Sequence, residues 1–204
     1  MNFYQIHIPV DGKFPTNRRK YINSVLKQIN SEKDTYNLVS TKNFLKKSKY
    51  NVNFIEIDSI LKDLFRFYPY FQICWNNLHV ANKSDLIRMF ILSRSIDSLY
   101  LDTDLELTQY PIIKKNDYLP SFAHSNYFKL CIDFFLIYNN NNFDWFREYL
   151  KRISMILEHK KIHEKEEVLD IRKMWKQLKI YSRDFKYNKF DESTFFIHHN
   201  LMGK

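Results

Sequence analysis

Glycine is nearly absent. Among 204 residues there are two, Gly12 and Gly203. A phosphate-cradling P-loop and a dinucleotide-binding G-x-G-x-x-G turn each need several glycines, because the backbone must reach positive φ and approach the phosphates closely. Both are excluded, and with them most P-loop hydrolases and dinucleotide-dependent enzymes. Cysteine is equally scarce: Cys74 and Cys131 alone build neither a disulfide framework nor a zinc centre. A reducing, cytoplasmic setting is the expectation. No uninterrupted apolar run reaches the length of about eighteen residues that a membrane-spanning helix requires. The stretch Met1-Asn2-Phe3-Tyr4-Gln5-Ile6-His7 lacks a charged segment leading into an apolar one, so no secretory signal is expected.

What is present is apolar enough to fold and unusually basic. Hydrophobic residues make up 45% and charged residues 27%, which suits one globular domain with a sizeable core. Thirty-two Lys and Arg against 23 Asp and Glu give a net charge of +9. Such a surface favours anionic partners: nucleic acid, an acidic membrane face or phosphorylated substrates. The abundance of Lys, Asn, Ile, Tyr and Phe is also what an AT-rich coding bias produces, so the charge has two readings. Lys13, Arg18, Arg19 and Lys20 form one basic group, and Lys42, Lys46, Lys47 and Lys49 another. Each is either a solvated face or a peripheral contact with the anionic inner face of a membrane.

The pattern alternates strands and helices. Residues 3–8 read as a first strand closed by Pro9. Thr16 or Asn17 is the expected cap of a helix with Tyr21, Ile22, Val25, Leu26 and Ile29 on its apolar face. Residues 36–40 and 52–57 read as strands, and Asp58 or Ser59 as the cap of a short helix. Residues 66–78 look aromatic and irregular, 78–96 helical, and 98–101 a buried strand. Further strands are expected within 119–123 and 130–138, a turn at 139–142, helices from 143 and over 164–179, and a final strand at 193–199. This order predicts an α/β fold with a largely parallel sheet, and the absence of a Pro/Ser/Gly linker predicts one domain. Its expected parts are a core to about residue 140, a helical addition over about 141–192 and a closing strand over 193–204.

The informative stretch runs from Ala81 to Glu106. Asp102 and Asp104 follow an apolar strand, and in extended backbone residues i and i+2 project to one side. Two converging carboxylates raise each other's pKa unless a cation compensates. Mn²⁺ or Mg²⁺, which prefer oxygen ligands and keep sites for substrate phosphates, are the natural compensators. Strand carboxyl ends are also where open α/β sheets bind ligands. The bland alternative is a polar turn. In the helix before the strand, Asp85 and Arg88 are three apart and share a face. They form either a simple intrahelical pair or a sugar-binding pair, with Asp85 accepting from hydroxyls and Arg88 presenting its fork to a sugar oxygen or phosphate.

Taken together, Ala81-x-x-Ser84-Asp85-x-x-Arg88 followed by Leu99-Tyr100-Leu101-Asp102-Thr103-Asp104 resembles the glycosyltransferase family with the Asp-X-Asp sugar-binding motif. That family includes yeast-type initiating mannosyltransferases, bacterial capsule transferases and the glucosylating domain of large clostridial toxins. The opening Gln5-Ile6-His7-Ile8-Pro9 and the closing Phe196-Ile197-His198-His199 resemble the family's first and last strands. Two departures stand out: Asp97-Ser98 replaces the family's Gly-Gly, and no Ser-Trp pair follows His199. The resemblance implies a GT-A-like fold with a mixed, mostly parallel sheet and helical additions. It implies a Mn²⁺ or Mg²⁺ ion on Asp104, with Asp102 either ligating the ion, reaching it through water or holding the ribose. It also implies a nucleotide-sugar donor such as a UDP-hexose or GDP-mannose, bound by Ser84, Asp85, Arg88, Tyr100 and Asp102. Ile8 and Pro9 would line the nucleobase pocket and Trp75 would stack on the base. Only one of His198 and His199 can face the site, and His199 is the candidate third metal ligand.

The activity so implied is sugar transfer to a glycan, a lipid-linked saccharide or a protein. Asp85, Arg88, Asp102 and Asp104 are its expected catalytic set. Retention of configuration needs no protein base, whereas inversion would need a carboxylate such as Asp133 or Glu192. Two alternatives remain: a degenerate transferase that binds donor without turnover, and a basic nucleic-acid-binding module, although no RNA or DNA motif is present.

Overall fold

The computed structural model describes residues 1–9, 16–29, 32–46, 48–111, 119–120, 136–139, 143–159 and 196–198. The expected helix over 164–179, the turn at 140–142, and Cys131, Asp133, Glu192 and His199 lie outside the described residues. Strand β1 (Asn2–His7) leads through a short 3₁₀ turn (Thr16–Arg18) into helix α1 (Arg19–Gln28), then β2 (Thr35–Ser40) and β3 (Asn53–Glu56). Helices α2 (Ile57–Phe67), α3 (Pro69–Cys74) and α4 (Val80–Leu92) precede β4 (Ser98–Leu101) and β5 (Leu105–Leu107). Strands β6 (Leu119–Pro120) and β7 (Leu136–Asn139), helix α5 (Phe143–His159) and strand β8 (Phe196–His198) complete the described elements.

Six strands form one mixed sheet in the order β3-β2-β1-β4-β7-β6. The first four are parallel, whereas β7 runs antiparallel to β4 and β6 antiparallel to β7. The chain steps outward from β1 to β3 and then returns to the other side of β1 as β4. This reversal makes a topological switch point between β1 and β4, and the carboxyl ends of strands at such a point are the usual ligand position in open α/β sheets.

Alternating side chains divide the core into two layers. Phe3, Leu38, Leu99 and Leu101 face α1 and pack with Ile22, Val25 and Leu26. Ile6, Val39 and Tyr100 face the opposite side and pack with Leu64, Leu86, Met89, Leu150 and Ile153 from α2, α4 and α5. Strands β5 and β8 form a separate antiparallel ribbon beside α1, which Ser24 ties down by accepting from the Leu107 amide at 3.0 Å.

Several local expectations are corrected. Neither Thr16 nor Asn17 caps α1. Arg18 occupies the cap position and makes no capping hydrogen bond, because the 3₁₀ turn carries the chain into the helix. Helix α2 starts before its expected caps: Asp58 lies in the first turn, and Ser59 Oγ donates back to the Glu56 carbonyl. The segment expected to be irregular is helical. Pro69 sits in the first turn of α3, where its missing N–H costs nothing, and Phe71 and Cys74 are buried. Between α4 and β4, Asp97 takes φ 49°. It thus adopts the left-handed backbone that glycine favours and Asp tolerates, at the position where the resembling family carries Gly-Gly.

Candidate active site

Helix α4 is covered almost all round. Every residue from Asp85 to Leu92 is buried, because the helix lies between the sheet and the helices α2 and α5. Asp85 and Arg88 are therefore interior charges, 4% and 6% exposed. Burial of a charge is costly unless a partner compensates. The compensation is local and dense. Arg88 Nη2 lies 3.0 Å from Asp85 Oδ1 and 3.6 Å from Asp102 Oδ1. The Arg88 guanidinium carbon stands 4.4 Å from the centre of the Tyr100 ring, a desolvated cation–π contact. The Tyr100 hydroxyl donates to Asp102 Oδ1 at 2.5 Å. Burial pushes the Tyr100 hydroxyl well above its usual pKa, and the charges of Asp102 and Asp85 add to this while Arg88 opposes it. Tyr100 thus stays protonated and remains a donor.

The Asp-Thr-Asp segment does not continue the strand, so the expected extended geometry is corrected. The Leu105 amide donates to the Asp102 carbonyl at 3.1 Å, closing a turn through Thr103 and Asp104. The Asp102 side chain is 28% exposed at the carboxyl end of β4, whereas Asp104 is buried, 4% exposed. The same carbonyl of Asp102 accepts from Gln5 Nε2 at 2.9 Å, and Gln5 Oε1 accepts from the Tyr36 hydroxyl at 2.6 Å. Gln5 and Tyr36 are buried and fix the turn to β1 and β2. On its other side, Thr103 Oγ1 accepts from Arg18 Nη1 at 2.6 Å.

The structure thus joins Asp85, Arg88, Tyr100 and Asp102 in one cluster and places Asp104 in the adjoining turn. Ser84 is half-buried on α4 beside Asp85, and Ile8 and Pro9 are half-buried immediately after β1. Trp75 packs edge-on against Phe65 at 5.5 Å, with Lys83 Nζ 5.6 Å from its ring. The β5–β8 ribbon pairs His198 with Leu105, the residue after Asp104, so the backbone of His198 lies beside the end of the acidic turn. Gln5, Tyr36 and Arg18 were missed in the sequence. Polar residues within a buried strand were the available signal for Gln5 and Tyr36. A groove of about 570 Å³ lined by Phe67, Tyr68, Arg147 and Met155 shares no residue with this cluster.

Asp102 and Asp104 offer the hard oxygen donors that Mg²⁺ and Mn²⁺ favour. Among the described residues no group of three or more His, Cys, Asp and Glu converges. A cation here would draw its other ligands from phosphate oxygens and water, which is the habit of these ions at nucleotide sites.

The architecture is that of PaToxG glycosyltransferase, with a TM-score of 0.54 and 18% identity over 88% of this chain and 69% of that one. The fold is therefore of the GT-A type. Mouse xyloside xylosyltransferase 1, in its apo form, superposes over 54% of this chain and 46% of its own, with 17% identity and a TM-score of 0.35, too loose to define a shared fold. No protein-family model matches the chain, and no curated protein matches it in sequence. No helix among the described residues is long and apolar enough to cross a membrane.

Proposed function

We propose that the protein is a metal-dependent glycosyltransferase that moves a sugar from a nucleotide-diphosphate donor to a glycan, lipid-linked saccharide or protein acceptor, with retention of configuration. The observation that carries this reading is the cluster of buried Asp85, Arg88 and Tyr100 with half-buried Asp102 at the carboxyl end of β4, with Asp104 in the turn beside it. A fold shared with a glycosyltransferase supports it. Interior charges held together at a strand's carboxyl end have a high cost for stability alone, and a polar substrate gives them a use.

In this reading Asp85 accepts hydrogen bonds from donor-sugar hydroxyls. Arg88 is held rigid by Asp85 and by the Tyr100 ring, and presents its fork to a sugar or phosphate oxygen. Tyr100 keeps Asp102 oriented, so Asp102 serves the ribose or the cation with its geometry already set. Asp104, with Asp102 and His199 as the other protein candidates, would hold Mn²⁺ or Mg²⁺. The ion, when bound, neutralises charge on the departing diphosphate as a Lewis acid. The leaving phosphate takes the acceptor's proton, so no protein base is invoked. Ile8 and Pro9 border the nucleobase. Trp75 is the candidate for stacking on it.

Calorimetric titration with a panel of sugar nucleotides, with and without Mn²⁺, followed by donor hydrolysis, tests this. One nucleotide sugar is expected to bind only with the ion, and binding and hydrolysis are expected to collapse in Asp104→Ala of verified fold. Binding without hydrolysis would identify a degenerate transferase. Full activity in Asp104→Ala, or affinity for nucleic acid alone, would refute the proposal.

A further inference from the structure

The basic group at the start of α1 is electrostatically misplaced. Arg18, Arg19 and Lys20 stand at the amino end of a helix whose first turn holds no acidic residue and whose cap makes no side-chain hydrogen bond. The partial positive charge of a helix amino terminus disfavours cations there. Helix α2, by contrast, carries Asp58 in its first turn. Where a local rule is broken, a compensating use is expected nearby. For Arg18 the contact is visible: its half-buried side chain reaches Thr103, 85 residues on, and Nη1 donates to Oγ1 at 2.6 Å. Thr103 is 3% exposed and is the central residue of Asp102-Thr103-Asp104.

We propose that Arg18 is a positioning residue for the acidic turn, acting through the Thr103 hydroxyl to set the carboxylates on either side of it. The turn is held from three directions. Arg88 and Tyr100 grip the Asp102 carboxylate from the α4 face. Gln5 and the Leu105 amide grip the Asp102 carbonyl. Arg18 grips the Thr103 hydroxyl at the centre of the turn, and it does so from the segment that enters α1. Without it, the Thr103 hydroxyl loses a short charge-assisted hydrogen bond, and the spacing of Asp102 and Asp104 is less tightly set for a cation and its diphosphate. Partners that orient metal ligands typically matter about ten- to a hundredfold in affinity. This inference rests on the glycosyltransferase reading, because it assumes that the turn binds a metal–diphosphate.

The test is Mn²⁺-dependent UDP binding by calorimetry, with thermal unfolding measured in parallel on the full chain. Arg18→Ala and Thr103→Val are each expected to weaken binding about tenfold, and the double variant no further than either alone, since both cut one contact. Thr103→Ser keeps the hydroxyl and is expected to restore binding to within about threefold of the starting protein. Arg19→Ala removes a neighbouring charge from the same helix end without touching Thr103, and its affinity is expected to be unchanged. Melting temperatures are expected to stay within a few degrees throughout. If Asp104→Ala abolishes binding while Arg18→Ala binds like the unaltered chain, this inference falls and the functional reading stands. Equal losses in Arg19→Ala and Arg18→Ala, or a Thr103→Ser as weak as Thr103→Val, would also overturn it. If the unaltered protein binds no Mn²⁺–UDP, the functional reading fails and takes this inference with it.

Discussion

Helices α1 and α4 lie on opposite faces of one sheet and differ in how many of their sides meet water. Helix α1 buries Tyr21, Ile22, Val25 and Leu26 and leaves Arg19, Lys20 and Lys27 exposed. Its charges are solvated, and most of them need no partner. Helix α4 is buried along its whole second half, so Asp85 and Arg88 could not be there without Asp102 and Tyr100. The same residue types thus carry different information on the two faces: the charges within α1 are surface, whereas Arg88 on the buried half of α4 commits three other side chains.

The largest expected effect would break that contrast. Arg88→Ala leaves Asp85 buried beside a void and is expected to cost about 3–5 kcal/mol in denaturant unfolding, whereas Arg19→Ala on α1 is expected to change stability by no more than about 0.5 kcal/mol. A cost for Arg88→Ala close to that of Arg19→Ala would show that the α4 cluster is not the dry ion pair described. Replacing both charges, as Asp85→Leu with Arg88→Met, is expected to recover most of the lost stability. Donor binding is expected to be lost in every one of these α4 variants, which separates what the pair does for folding from what it does for the ligand.

Much of this was legible in the sequence, and the reason is periodicity. Strand β1 follows from alternation and the apolar face of α1 from 3.6-residue spacing, whereas β2 and β4, buried on both faces, follow from short apolar runs of strand-forming residues. The pairing of Asp85 with Arg88 follows from their spacing, and their link to Asp102 from the resemblance. Three features were hidden. Helix α3 is short, aromatic and starts at Pro69, so no pattern distinguishes it from a loop. The fold of the chain at Thr103 depends on the amide of Leu105 and the side chain of Gln5, and a contact 97 residues away leaves no local trace. The reach of Arg18 across 85 residues is equally non-local. Sequence reading also set both carboxylates on one side of an extended strand: Asp102 is instead partly exposed while Asp104 is buried, a difference made by the turn and not by the residue type.

A second prediction sharpens the comparison with one titratable group from each layer. Tyr36 packs on the α1 face and Tyr100 on the α4 face, and burial raises the pKa of both hydroxyls from the ordinary value of 10.0. The fold holds the neutral phenol, so stability is fully present below pH 10 and declines above it, where the unfolded chain releases the proton and the folded chain does not. Each tyrosine contributes a slope of about 1.4 kcal/mol per pH unit in that window. Cys74, pushed up to about 11 by burial, adds a decline that begins nearer pH 9. Urea unfolding between pH 8 and 11 is expected to show each of Tyr36→Phe and Tyr100→Phe removing a similar share of the slope above pH 10. A slope that survives Tyr100→Phe but not Tyr36→Phe would mean that the α4 layer admits water.

The smallest expected effect lies at the exit from α4, where the chain must reverse into β4. Asp97 makes that turn at φ 49°, and its carboxylate, 51% exposed, stands 3.3 Å from the Met1 amine. Comparing Asp97→Gly with Asp97→Val isolates the backbone contribution, because both lose the carboxylate and any effect of the exposed ion pair cancels. Glycine takes the left-handed region without a clash, whereas a β-branched side chain meets the following carbonyl, so Asp97→Val is expected to be the less stable by about 1–2 kcal/mol. Nucleotide affinity is expected to be the same in both, since the turn lies at the amino end of β4 and the acidic turn at its carboxyl end. Equal stabilities would place the strain elsewhere in the connection. A loss of affinity in Asp97→Val alone would mean that the backbone before β4 sets the position of Asp102 at its far end, and that the two ends of the strand move as one rigid piece.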